Sequence, residues 1–165
     1  MRKLKPFFTT LLAIAVLCIG LIGAKPAMAI TFDFSWKGNG GYTAQGSFSY
    51  EEEQKNSTIT NTNLESLKIS FSDPANKFLK SYVLVKDGQD TGVNPYLEFS
   101  FDPATKSFTS GSGFDVGEGR TTGDNDYYLH GTIDTILDLR HLDTNVLDTN
   151  SGVINVKKAS GEKDD

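Results

Sequence analysis

The chain has 165 residues, with 16 basic and 21 acidic side chains, a net charge of −5 and one cysteine, Cys18. A lone cysteine excludes a disulfide framework, and two histidines beside it are too few ligands for a closed zinc site. The acidic balance excludes nucleic acid as a partner, because a polyanion would be repelled instead of shedding counterions onto a basic patch.

At the N-terminus, Arg2, Lys3 and Lys5 precede an apolar run from Phe7 to Ala24, and Ala27-Met28-Ala29 supplies the small residues that a signal peptidase needs. Residues 1–29 are therefore expected to form a cleavable signal helix, cut after Ala29. A retained anchor is the alternative, since the run approaches the roughly 20 residues that span a bilayer. Cleavage removes Cys18, Arg2, Lys3, Lys5 and Lys25 but no acid, so the remaining chain carries a charge of −9. The expected location is secreted or periplasmic, with membrane contact only through the signal before cleavage.

Strand patterns follow in chain order. Phe32, Phe34 and Trp36 alternate with Asp33 and Ser35, and Gly38-Asn39-Gly40-Gly41 can supply the positive φ of a hairpin turn. Tyr42 to Tyr50 is the expected return strand. Glu51 to Asn56 is too charged to bury and reads as a loop before a short strand over Ser57 to Thr60. Leu67, Ile69 and Phe71 alternate with Lys68 and Ser70, which gives one dry and one wet face. In Phe78 to Lys86 the run Tyr82-Val83-Leu84-Val85 is continuous enough to predict a central strand covered on both sides. Leu97, Phe99 and Phe101 alternate again, and Ser107 to Ser110 returns from them.

Asp73-Pro74 and Asp102-Pro103 begin two similar turns. Asp can bond the backbone beyond it, and Pro has its φ already set. Tyr127 to Arg140 is the longest period-two stretch, with Leu129, Ile133, Leu137 and Leu139 on odd positions; its second half also admits helical spacing. Leu142 to Asn150 reads as a polar, turn-rich loop, and Gly152 to Val156 as a last strand. Together these predict an all-β fold, an antiparallel β-sandwich of jelly-roll or Greek-key type with about eight strands. One domain is expected over residues 30–157, with a disordered tail over 158–165.

No arrangement of nucleophile, base and acid is legible. His130 falls on the polar face of its strand, and Gly111-Ser112-Gly113 is a flexible turn without the surroundings of a nucleophile elbow. The loop from Asp115 to Asp126 offers hard oxygen ligands on flexible backbone, which suits calcium, with Asp124 and Asp126 as the first candidate ligands. It lacks the glycine spacing and terminal acid of an EF-hand. A solvated acidic loop without any cofactor is the competing reading. The tyrosines Tyr42, Tyr50, Tyr82, Tyr96, Tyr127 and Tyr128 could present flat rings to a sugar, or pack in the core.

The export signal, the start Ile30-Thr31-Phe32-Asp33-Phe34, the run Gly46-Ser47-Phe48-Ser49-Tyr50 and Leu97-Glu98-Phe99-Ser100-Phe101-Asp102 resemble exported β-rich domains of cyanobacterial PEP-CTERM-type proteins. The C-terminal Gly161-Glu162-Lys163-Asp164-Asp165 departs from that family's sorting signal. The resemblance implies an envelope or extracellular setting and supplies no catalytic residue. The expectation is an exported non-enzymatic domain that binds a ligand such as a glycan or an envelope component. A small sandwich glycoside hydrolase or lyase using two carboxylates is the alternative.

Overall fold

The computed structural model describes residues 28–118, 126–142 and 145–160. The predicted signal helix, Asp124 and the last tail residues lie outside that set. Among the described residues the strands are β1 (Ala29–Lys37), β2 (Thr43–Glu51), β3 (Ile59–Thr60), β4 (Leu64–Ser72), β5 (Phe78–Lys86), β6 (Gln89–Asp90) and β7 (Ser100–Asp102). They continue with β8 (Ser107–Phe108), β9 (Gly113–Gly117), β10 (Tyr127–Thr132), β11 (Ile136–His141), β12 (Asn145–Asn150) and β13 (Asn155–Lys158). The expected all-β, antiparallel sandwich is what forms. There are more strands than expected because the chain also pairs in pieces of two or three residues.

A six-stranded sheet runs β13-β1-β2-β4-β5-β6, a four-stranded sheet runs β12-β11-β10-β9, and β3-β7-β8 make a small third sheet. Alternation decides which side chains meet between them. Phe32, Phe34, Trp36 and Phe48 point inward from the first sheet, Phe101 and Phe108 from the third, and Phe114 and Leu129 from the second. Phe48 stacks edge-on against Phe99 and Phe101 at 4.9 and 4.8 Å between ring centres. Each such ring contributes on the order of 2–3 kcal/mol by leaving water.

The predicted β1–β2 hairpin forms, with Phe32 opposite Phe48 and Trp36 opposite Ala44, and Gly41 takes the positive φ of 96°. At both Asp-Pro turns the mechanism read from sequence operates. Asp73 Oδ1 accepts from the Ala75 and Lys77 amides, and Asp102 Oδ1 accepts from Ala104.

Four readings are corrected. β5 is not covered on both sides: Val83 is 49% exposed, and a register shift at Leu67/Lys68 lets Leu84 and Val85 bury consecutively. Tyr127 to Arg140 is not one strand but the hairpin β10–β11, turning through Asp134 at φ 59°. Residues read as a polar loop contain β12, which pairs with β11. Finally, the last strand, read as Gly152 to Val156, is β13 (Asn155–Lys158), so Lys158 belongs to a strand and not to the tail.

Candidate functional site

The solvent face of the six-stranded sheet is built by the polar half of each alternation. Cross-strand register lines these side chains into rows running perpendicular to the strands. One row is Lys157, Asp33, Ser47, Lys68 and Val83; the next is Asn155, Ser35, Gln45, Ser70 and Ser81. Adjacent members are separated by about the 4.8 Å spacing of neighbouring strands. Four of these ten are serines, Ser35, Ser47, Ser70 and Ser81, so the middle of the face carries short hydroxyl side chains.

Three cavities of about 420, 270 and 360 Å³ lie side by side on this face. The first and second share Asp33 and Gln45 as walls, and the second and third share Lys68 and Val83. The three thus follow one another, with shared walls, from β13 to β5. Asp33 faces Lys157 at 4.0 Å across the first cavity, an exposed pair worth at most about 1 kcal/mol. Some of the hydroxyls are already used: Ser49 and Ser66 bond each other at 2.6 Å, and Ser70 donates to the Gln45 carbonyl. Hydroxyl, amide, carboxylate and ammonium groups together can pair with the donors and acceptors of a polyhydroxylated molecule.

The second polar cluster is on the outer face of the four-stranded sheet. Register places Glu98, Asp115, His130 and Asp138 in one cross-strand row. Asp115, only 3% exposed, accepts from Asn94 Nδ2 at 2.9 Å and faces His130 Nδ1 at 2.9 Å. Asn94 Oδ1 in turn accepts from the Tyr96 amide, so Asp115 fastens the segment before β7 to β9. Arg140 and Asp138 pair at 3.0 Å beside it. The carboxylate fixes the imidazole, yet no hydroxyl or thiol of the described residues is bonded to the ring. The predicted polar face for His130 is observed; its partner Asp115 went unnoticed, being set by register across the Glu118–Asp126 connection.

Asp126, the describable member of the predicted calcium pair, is 1% exposed, and its carbonyl accepts from the Leu142 amide. Among the described residues no three His, Cys, Asp or Glu side chains are grouped to hold a metal. Close by, the Tyr82 hydroxyl accepts from the Tyr127 amide at 3.1 Å and donates to Glu118. Burial, reinforced by the charges of Glu118 and Asp126, pushes the ionisation of that phenol far above its ordinary range.

The tyrosines do not form a platform. Tyr50, Tyr82 and Tyr128 are buried, Tyr42 and Tyr127 are half-buried, and Tyr96 is 53% exposed. Tyr127 instead stacks on His141, 4.5 Å between ring centres. No family model matches the chain, and neither the curated proteins nor the solved structures contain a match.

Proposed function

We infer that this chain is an exported, non-enzymatic domain of the cell envelope or extracellular space, and that it binds an extended glycan along the groove of the six-stranded sheet. The observation that carries the reading is the succession of three cavities with shared walls across five strands, whose linings include hydroxyl, amide and charged groups. A chain of sugars offers the same mixture of donors and acceptors at a comparable repeat. Small serine side chains leave room for a ligand to approach the backbone. The signal-like N-terminus and the likeness in style to exported cyanobacterial domains support the setting.

Titration calorimetry with soluble polysaccharides tests the binding. Gln45, shared by two of the cavities, is the residue to change: Gln45→Ala should weaken binding by about tenfold, the effect of losing one or two hydrogen bonds. Absence of binding across the panel would remove the glycan reading. Turnover of a glycoside or ester panel would replace it with the two-carboxylate hydrolase. N-terminal sequencing of the exported product should begin at Ile30.

A further inference from the structure

The β1–β2 turn contains Asn39-Gly40, the dipeptide most prone to spontaneous loss of ammonia from an asparagine, because glycine leaves its own amide unshielded. In that reaction the Gly40 nitrogen attacks Asn39 Cγ: an N–Cγ bond forms, the Cγ–Nδ2 bond breaks, ammonia leaves and the Gly40 amide proton is lost to solvent. Water then opens the succinimide ring to aspartate or isoaspartate. Asn39 and Gly40 are both exposed, so sequence and access favour the reaction.

The geometry opposes it. Asp148 of β12, 7% exposed, reaches under the turn, and its Oδ1 accepts from the Gly40 amide at 2.7 Å while Oδ2 accepts from Tyr42 at 3.0 Å. On the other side of the asparagine, the Asn39 amide donates to the Thr149 carbonyl at 2.9 Å. Both peptide groups flanking Asn39 are thus tied to β12, and the rotation that would carry the Gly40 nitrogen to Cγ must break the shorter tie. A carboxylate at that nitrogen also disfavours the amide anion that the attack requires. The approach is this close because the turn has no side chains in the way: a Cβ at Gly38 or at Gly40 would run into the Asp148 carboxylate.

We propose that Asn39 is a modification site held closed by Asp148, so that deamidation there reports opening of the turn away from β12. The test is peptide mapping by mass spectrometry after incubation at mildly alkaline pH. The folded protein should modify Asn39 at least about tenfold more slowly than the chain in urea, and Asp148→Ala should recover about tenfold, the effect of losing a charge-assisted hydrogen bond. Phe114→Leu, which loosens the core without touching the turn, should recover less than Asp148→Ala at matched stability. Equal rates in folded and unfolded chains would overturn the proposal. So would a slower rate in Asp148→Ala, which would make the carboxylate the base. Should Asp148→Ala not fold, hydrogen exchange of the wild-type Gly40 amide decides. Protection at this exposed turn is expected, and exchange at the free-peptide rate overturns the proposal.

Discussion

At the scale of single residues, Tyr82 couples the two main sheets through one hydroxyl. It accepts from the Tyr127 amide on β10 and donates to Glu118 just after β9, while its ring lies edge-on to Phe71. Its ionisation is raised in the folded state above the ordinary value of 10.0, chiefly by burial. The folded protein therefore holds the phenolic proton where the unfolded chain releases it. Stability from this group is complete below about pH 10 and is lost as pH rises beyond it. Denaturant unfolding at pH 9 and at pH 11 should show a steeper loss for the wild type than for Tyr82→Phe. At neutral pH the same variant should be about 1–3 kcal/mol less stable, since the Tyr127 amide loses its acceptor. Parallel pH dependences would mean that Tyr82 ionises freely in the fold. Such residues were only half legible: the alternation of β10 put His130 on its polar face, whereas Asp115 and Tyr82 acquire their partners from register and sheet packing, neither of which is a local property.

Among the elements, β2 shows why a glycine sits in mid-strand. Gly46 pairs with Phe34, and a Cβ there would come within 2.2 Å of the Phe34 ring and 2.5 Å of the Lys68 carbonyl. The ring of β1 thus lies over the backbone of β2, and Phe34 reaches Phe108 and Phe114 in the other sheets at 5.8 and 6.3 Å. Gly46→Ala should overpack this contact and destabilise the fold by about 1–3 kcal/mol in urea unfolding, with the secondary structure retained. A neutral outcome would show that Phe34 can move aside. Elements with strong alternation and Gly, Asn or Asp-Pro turns, such as the β1–β2 hairpin and the turn at Asp73, were legible because their causes are local. The β10–β11 hairpin was not, because its turn runs Ile133-Asp134-Thr135 without glycine or proline, and parity is kept across it: Leu129 pairs with Leu139. β12 escaped notice for the opposite reason. It is an edge strand whose polar sequence matches a loop, and it is recruited by pairing with β11 and by the Asp148 contact with the first hairpin.

For the molecule as a whole, the question is whether two principal sheets and a small one make one cooperative unit. Phe48 lies where they meet. It belongs to the six-stranded sheet, is fully buried, and touches Phe99, Phe101 and Phe108, while Phe108 lies 5.1 Å from Phe114 of the four-stranded sheet. No sheet can lose its partner without exposing rings of the others, so the three should unfold together. The inward stripe predicted this packing, but the groove on the opposite face depends on how polar side chains from five strands align, which no single segment reveals. Phe48→Ala should cost about 3–5 kcal/mol, since the surrounding rings cannot close the space it leaves. The loss should fall equally on two probes: far-ultraviolet circular dichroism, which follows all the strands, and fluorescence of Trp36, the chain's single tryptophan, buried in β1. Coincident urea transitions in wild type and variant are the expected result. Separation of the probes in the variant would mean that the four-stranded sheet keeps a core of its own, and the groove-bearing sheet would then have to be treated as an independently stable platform.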